Sequence, residues 1–504
     1  MSYDPLPTDQ SKEKPASSFT KDMHEKVLHS LPFDDRRSFK NATKGFIATL
    51  DPLTIKRADG STVLDLSKFD FLKNDAPPTV NPSLWRQAQL TTQHTGLFEV
   101  VEGIYQIRAF DIANMTLIKG KTGWIIIDPL TSSESSKAAL EFANDKIGHR
   151  EVVAVIHTHS HADHFAGIFG VISPEQAESG SVKILAPEHF VEESLSENVI
   201  AGNAMGRRAT YMYGNLLEPS ESGFITTGLG AALSLGTTGF AVPNDLIKET
   251  GERRIIDGIE FEFQMTMGTE APSEGVFYLP QFIALCMSEI TSHHLHNVYT
   301  LRGAQVRDAL AWSEQINESI ERYGDDLEIQ FACHHWPIWG REEALHYLRA
   351  QRDLYPYIHD QVLQLANQGY NPDEIADRIR LPESLDQNFS NRDYYGTLHH
   401  NARAVYVKYL GFFDGNPANI QPLPPSEAGH RYVEFMGGAD AVVEKARTFF
   451  ESGDYRWVAQ VLNHVVMSEP DHVAARGLLA DTYEQLGYQA ESAVWRYFYL
   501  TGAL

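Results

Sequence analysis

Thr158-His159-Ser160-His161-Ala162-Asp163-His164 places three imidazoles and one carboxylate in consecutive reach, directly after the apolar run Val152-Val153-Ala154-Val155-Ile156. A short β-branched run bounded by polar residues reads as a buried strand, which makes the polar segment the turn at its end. Imidazole nitrogen and carboxylate oxygen are the donors that suit zinc and similar divalent ions. Spaced as H-x-H-x-D-H, the four donors are too many for one ion that keeps an open position, but they can be divided between two. A lone histidine here would read as a loop residue. Four ligand-type side chains at this spacing behind a strand point to a metallo-hydrolase.

The surrounding pattern is layered α/β. Phe98-Glu99-Val100-Val101, Ile104-Tyr105-Gln106-Ile107, Met115-Thr116-Leu117-Ile118 and Trp124-Ile125-Ile126-Ile127-Asp128 are β-rich runs separated by glycines. A helical stretch from Ser132 to Ile147 precedes the strand at 152. Further strands are expected at Lys183-Ile184-Leu185, Ile259 to Phe263, Ile283 to Met287 and Glu328 to Ala332. Strands alternating with helices predict sheets covered by helices, over residues 96–370.

Residues 1–95 read as an N-terminal arm, with the proline-rich Asp75 to Pro82 extended over the body. Between about 196 and 245 the segment Gly223-Phe224-Ile225-Thr226-Thr227-Gly228-Leu229-Gly230 is glycine-rich and apolar, with no Gly-Lys-Ser/Thr to make a phosphate loop. A long irregular insertion of this kind is read either as a cover over the substrate, with Met205, Tyr211, Met212, Tyr213 and Phe224 as an adaptable apolar lining, or equally as a packed surface excursion. Strand signals stop after about 370, and 371–504 reads as helical. Gly453-Asp454-Tyr455 is echoed by Gly487-Tyr488 thirty-four residues on, with Pro470 between, which is the period of a tetratricopeptide-type hairpin. Val442, Val443, Ala446, Phe449 and Phe450 have helical spacing and are expected in its core. Such a module serves assembly, and a C2 homodimer is the usual closed solution.

At 504 residues and 42% apolar, the chain is long enough for two or three domains. Its net charge of -25 argues against nucleic acid as a partner, because phosphate binding needs Lys and Arg. Two cysteines, Cys286 and Cys333, make no disulfide framework and no C-x-x-C. Cys333 precedes a His-His pair, so it is read as a buried strand residue with a metal neighbour as the alternative. The first thirty residues carry Asp4, Asp9, Lys12, Glu13 and Lys14 and no apolar signal-peptide core, and no run approaches the roughly 18 apolar residues of a membrane span. A cytoplasmic protein is expected, or a periplasmic or secreted one if an upstream leader has been removed.

A two-ion site needs donors beyond the His motif. Three predicted strand ends supply candidates: Glu270 and Glu274 after the strand at 259, Glu289 after the strand at 283, and His334 and His335 after the strand at 328.

The His motif resembles the metallo-β-lactamase-fold signature. The long stretches Gly268-Thr269-Glu270-Ala271-Pro272-Ser273-Glu274, Leu285-Cys286-Met287-Ser288-Glu289, Leu295 to Ala304, His334-His335-Trp336-Pro337, Tyr394-Tyr395-Gly396-Thr397, His399-His400-Asn401 and Trp495 to Ala503 are similar to one branch of it, the zinc-dependent alkylsulfatases. The resemblance runs in the family's order from about residue 40 to the C-terminus. It implies an αββα sandwich followed by an all-helical dimerisation domain, and hydrolysis of alkyl sulfates such as dodecyl sulfate by water activated at two zinc ions per chain. It also implies one zinc on His159, His161 and Glu270, a second on Asp163, His164 and His334, and Glu289 between them. Glu274 and His335 are set aside on family register alone. Asn297, Arg302 and Tyr406 are implied to hold the sulfate, and a guanidinium fork suits an oxyanion. A proton for the leaving group can come from His293, His294, His296, His399 or His400; we assign His400, with Asp163 and Arg302, to the catalytic set.

Members of that family commonly continue past the Leu-Thr-Gly-Ala stretch into a domain resembling sterol-carrier proteins. This chain ends at Leu504: either the sequence is truncated, or the protein manages its substrate without that domain and less efficient handling of long or micellar detergents is expected, with zinc binding and dimerisation intact in both cases. Two other readings remain. One is a metallo-β-lactamase-fold hydrolase of a β-lactam, thioester or phosphodiester, disfavoured because most such branches use His where Glu270 stands. The other is a non-catalytic helical interaction protein with a vestigial site, disfavoured by the complete donor set.

Overall fold

The run Val152–Ile156 is a strand buried on both faces, and its two neighbours run parallel to it: Trp124–Ile127 on one side and Lys183–Pro187 on the other. The computed structural model describes residues 14–504; Asp4, Asp9, Lys12 and Glu13 of the polar N-terminus lie outside the described residues. The sheet has eight strands in chain order: Phe46–Ala48, Gly96–Val101, Ile104–Arg108, Met115–Lys119, Trp124–Ile127, Val152–Ile156, Lys183–Pro187 and Asp245–Ile247. Pairing is antiparallel as far as Trp124–Ile127 and parallel beyond it. A second sheet of six strands follows: Glu252–Ile256, Ile259–Met265, Gly275–Leu279, Ala284–Cys286, Ile329–Phe331 and Ile338–Trp339.

Side-chain alternation shows how the sheets stack. Ile125, Ile127, Ala154 and Ile156 of the first sheet meet Phe261, Phe277, Leu279 and Phe331 of the second in one buried cluster. Their neighbours Trp124, Ile126 and Val155 point the other way, to Ala139 and Phe142 of helix Ser133–Ile147. With both faces covered, the strands are apolar at every position rather than every second one. On the far side of the second sheet, Leu285 and Ile338 pack on Trp312 and Ile316 of helix Ala309–Tyr323 and on Leu348 and Tyr355 of helix Arg341–Asn367. The result is the expected αββα sandwich.

The N-terminal stretch is more than an arm. Phe46–Ala48 forms an edge strand of the first sheet. Asn81 caps a helix that begins at Pro82, and Leu84, Trp85 and Ala88 of that helix are fully or nearly buried in the same core as Ile126. Helix Ser18–Ser30 instead docks on helix Val473–Gln489, where His24 Nε2 donates to the Tyr488 carbonyl at 3.0 Å.

From 371 on the elements are helical. Val442, Val443, Ala446, Val458, Leu462 and Leu478 form a separate core among helices Ala439–Glu451, Tyr455–Ser468 and Val473–Gln489. Phe449 of the expected stripe lies outside it, 42% exposed. Helices Ala439–Glu451 and Val473–Gln489 begin 34 residues apart, but the two glycines of the echo are not equivalent. Gly453 is a left-handed turn residue between two helices, whereas Gly487 sits inside Val473–Gln489 against Leu500.

The insertion 196–245 is likewise not one loop. Residues Gly202–Met212 are helical, and Asp245–Ile247 closes the sheet edge. Gly223 to Leu233 is packed rather than mobile: Phe224 stacks on Tyr497 with ring centroids 5.0 Å apart. A Cβ on Gly228 or Gly230 would collide with the carbonyl of Tyr394 or Ile112. Among the described residues, no helix is long and apolar enough to cross a membrane.

Burial of His24 lowers its pKa from 6.5 to about 4. Between those values the unfolded chain binds the proton and the folded chain does not, so stability falls as the pH falls through this window. The full contribution of one such group is on the order of 3 kcal/mol. The thermal midpoint is therefore expected to drop as pH is taken from 7 to 5, and His24→Gln to make that slope shallower. An unchanged slope in the variant would contradict the assignment.

Candidate active site

Four strand ends deliver the ligand-type side chains to one place between the sheets. The loop after Val152–Ile156 is fixed against the second sheet by an isolated antiparallel bridge, His159 to Glu274, and by Gly275 N–H donating to the Thr158 carbonyl at 3.0 Å. Glu270, Glu289 and His334 leave the ends of Ile259–Met265, Ala284–Cys286 and Ile329–Phe331. The backbone is strained there: Asp128, Ser288 and His335 all have positive φ, at 55°, 48° and 62°. Non-glycine residues in that region cost about 1–3 kcal/mol each and concentrate at functional sites.

Glu289 Oε2 is the centre of the arrangement. It lies 3.1 Å from His159 Nε2, 3.2 Å from His164 Nε2 and 3.2 Å from His334 Nε2. Each of these histidines is held from behind. His164 Nδ1 meets Asp128 Oδ2 at 3.0 Å, and His334 Nδ1 meets the Ile112 carbonyl at 3.1 Å. His159 Nδ1 lies 2.9 Å from Thr158 Oγ1, whose hydroxyl donates to Asp128. Back partners of this kind fix the tautomer and leave Nε2 bare for a metal. All three Nε2 atoms, with Glu270 Oε2, are buried and lack a hydrogen-bond partner among the described residues. Burying polar atoms unpaired is costly; a cation at this point would satisfy all four, so the donor set fits a metal.

Two donor groups share Glu289. His159, His161, Glu270 and Glu289 bring ligand atoms within 4.8 Å of one another, as do His164, Glu289, Cys333 and His334. Asp163 Oδ2 joins the second group, 3.1 Å from His164 Nε2 and 3.6 Å from His334 Nε2. Burial alone would raise the Glu289 carboxyl; the surrounding His334, His159, His164 and His296 outweigh it and hold it well below the usual range.

The structure separates Glu270 from Glu274, and His334 from His335. Glu274 Oε2 accepts from Thr269 Oγ1 and from the Glu270 and Ala271 N–H groups at 2.9–3.1 Å, so it shapes the loop that carries Glu270. His335 Nε2 faces Gln87 and the Gly228 carbonyl, away from Glu289. Cys333 is buried within the second group, compatible with either reading of it.

The anion-binding candidates fare unequally. Arg302 is half-buried and paired, its Nη1 2.6 Å from Glu197 Oε1. Asn297 is fully buried, its Oδ1 2.7 Å from His400 Nε2 and its Nδ2 without a partner. Tyr406 packs in an apolar cluster with Leu295, Val298 and Val405. His400 has neither ring nitrogen free: Nδ1 lies 3.0 Å from Trp495 Nε1 and 3.0 Å from Thr397 Oγ1. Burial draws its pKa down to about 3. It is therefore a poor store for a proton at neutral pH, contrary to its place in the expected catalytic set.

Asp128, Glu197 and Arg307 escape the sequence reading. Arg307 Nη2 sits 2.5 Å from Glu270 Oε1, and His296, one of the proton-donor candidates, has its Nε2 2.9 Å from Glu289 Oε1. Glu197 reaches both Arg302 and His161, the latter at 3.4 Å. Tyr213 and Tyr395 share a 2.9 Å hydroxyl contact beside them. Asp128 had one usable signal, its position at the end of a parallel strand next to the His motif. Glu197 and Arg307 had none. A cavity of about 310 Å³ opens beside His161 and Glu270, with Ala201, Met205, Ala304 and Val306 on its apolar side.

Residues 108–334 match the family model of the metallo-beta-lactamase superfamily, and residues 371–504 match the alkyl sulfatase dimerisation model. A linear primary-alkylsulfatase from Pseudomonas sp. is 52% identical over 97% of this chain and 73% of its own length. An (R)-specific secondary-alkylsulfatase from Pseudomonas sp. is 46% identical over 97% of this chain and 74% of its own length. Among solved structures, a stereoselective inverting sec-alkylsulfatase from Pseudomonas sp. superposes with a TM-score of 0.96 at 45% identity, covering 98% of this chain and 78% of that one.

Proposed function

Because the chain belongs to the alkylsulfatase family of the metallo-β-lactamase superfamily, we propose that it hydrolyses linear alkyl sulfates, dodecyl sulfate among them, to alcohol and inorganic sulfate at a pair of zinc ions. The observation that carries this reading is the set of buried, unpartnered Nε2 atoms of His159, His164 and His334 gathered within 3.2 Å of one Glu289 oxygen. His159, His161 and Glu270 would hold one ion, Asp163, His164 and His334 the other, and Glu289 both. Bound there, such a pair supplies an acidified water and Lewis-acid neutralisation of the ester.

The chain's own residues do the rest. Arg302 offers a fork to two sulfate oxygens, and the Asn297 amide offers an N–H. Arg307 and His296 hold Glu270 and Glu289 in place from behind. The apolar side of the adjoining cavity takes the alkyl chain, a role that Met205 keeps from the expected lining while Met212 and Phe224 lose it to the core.

The test is inorganic sulfate released from dodecyl sulfate by zinc-loaded protein. Release that a chelator abolishes is expected. Faster turnover of nitrocefin or bis-p-nitrophenyl phosphate than of any alkyl sulfate would overturn the reading.

Glu197 occupies the guanidinium that a sulfate would use. Glu197→Gln is therefore expected to tighten competitive inhibition by inorganic sulfate about tenfold, the scale of one hydrogen bond to a charged group. Weaker inhibition in the variant would show that Glu197 positions Arg302 instead of competing for it.

For the helical domain we propose a homodimer through the apolar surface around residues 412–435. Phe412 and Phe435 are each 91% exposed and Ile420 69%, more apolar exposure than a free surface usually carries. Light scattering should return about twice the 56.5 kDa chain mass, and Phe412→Asp combined with Phe435→Asp should halve it. A wild-type mass near 56.5 kDa would contradict the proposal.

A further inference from the structure

The last helix of the chain, Ala493–Ala503, sends one side chain towards the anion site. Trp495 Nε1 lies 3.0 Å from His400 Nδ1, and His400 Nε2 lies 2.7 Å from Asn297 Oδ1. The protons in this chain of contacts have only one consistent placement. An indole nitrogen can donate but never accept. His400 Nδ1 must then be an acceptor, and the ring proton sits on Nε2. Nε2–H must donate to Asn297, so the atom facing it is the carboxamide oxygen. Thr397 leaves the choice to Trp495: its hydroxyl oxygen accepts the His400 backbone N–H at 3.0 Å, and its rotating O–H, 3.0 Å from Nδ1, accommodates either tautomer. The opposite orientation of Asn297 would place its N–H₂ against Nε2, force the ring proton onto Nδ1, and set that proton against the Trp495 N–H.

The other end of the amide is left open. Asn297 is fully buried, its Oδ1 is taken, and its Nδ2 is a donor without a partner among the described residues. Asn297 follows His296, which touches Glu289 at 2.9 Å, and its backbone carbonyl accepts from Arg307 at 2.6 Å, the residue that also pairs with Glu270, so the Asn297 backbone is tied to two of the proposed metal ligands.

We propose that Trp495 and His400 are positioning residues that lock the Asn297 carboxamide with its N–H₂ free for a sulfate oxygen, so that the final helix of the dimerisation domain takes part in anion binding. The inference rests on the reading of Asn297 as a sulfate ligand. It removes His400 from proton transfer and gives it a tautomer-dependent task.

Four substitutions, three in the relay and Asn297→Ala, test it on the full-length zinc-loaded enzyme, with kcat, KM for dodecyl sulfate and the inhibition constant of inorganic sulfate as readouts. His400→Gln keeps an N–H towards Asn297 and an oxygen towards Trp495, and is expected to stay within about threefold of wild type in all three, because both contacts survive. His400→Glu offers only oxygens and turns the amide over. Trp495→Phe keeps the ring but releases the Nδ1 acceptor constraint. Both are expected to raise KM and the sulfate inhibition constant about tenfold with kcat in the wild-type range, the pattern of lost uniform binding.

Loss of kcat in His400→Gln, with the sulfate inhibition constant unchanged, would restore His400 as an acid and overturn the proposal. So would unchanged constants in both His400→Glu and Trp495→Phe when Asn297→Ala weakens sulfate. If Asn297→Ala itself leaves sulfate inhibition intact, the underlying reading of Asn297 fails, and the relay fails with it. Melting temperature and bound zinc measured on each variant separate these outcomes from misfolding, for which Trp495→Phe is the mildest change.

Discussion

Glu289 is a carboxylate buried among three imidazoles whose facing nitrogens are bare, and the surrounding structure is organised by that burial. A charge in a low-dielectric interior is tolerated only where neighbours compensate it. Here compensation comes in two layers. The imidazoles around Glu289 are themselves oriented by Asp128, Thr158 and the Ile112 carbonyl. Those partners sit in loops at the strand ends of the first sheet, while Glu289, Glu270 and His334 come from loops after strands of the second. The site can form only if the two sheets pack in one register, so the apolar cluster of Ile125, Ile156, Phe277 and Phe331 between them is also what sets the ligand geometry. Local strain at Asp128, Ser288 and His335 is the remaining adjustment, concentrated where strand ends turn towards the centre.

How much of this could be read beforehand follows from where each signal resides in the chain. The His motif and its strand are contiguous, and a strand buried on both faces announces itself by uninterrupted apolar residues. Glu270, Glu289 and His334 were reachable because each closes a recognisable strand. Telling Glu270 from Glu274 by physics needs the loop geometry: only coordinates show three donors turned onto Glu274. Glu197 and Arg307 stand on no motif and reach the site through tertiary packing alone.

The misreadings have equally physical causes. Glycines at 223, 228 and 230 look like flexibility, but here they permit close backbone approach to Glu218, Tyr394 and Ile112. Gly487 echoes Gly453 in spacing, yet one is a turn glycine and the other allows a helix to sit against Leu500. Composition cannot distinguish these uses. His400 was drawn towards catalysis because histidine near a hydrolytic site suggests proton transfer. Its neighbours suit the positioning part proposed above, since an indole donor faces one ring nitrogen and an amide oxygen engages the proton on the other.

The boundary near residue 370 separates helices from strands but does not separate two independent structures. Arg496, fully buried, donates to the carbonyls of Thr79, Glu221 and Gly223. The Tyr497 hydroxyl receives the N–H groups of Ile225 and Thr226. Through these contacts the final helix fixes the glycine-rich segment whose residue 228 backs His335, and through Trp495 it reaches His400. A module attached only for assembly would need none of them. The final helix thus belongs to the helical domain by sequence and to the αββα body by its contacts.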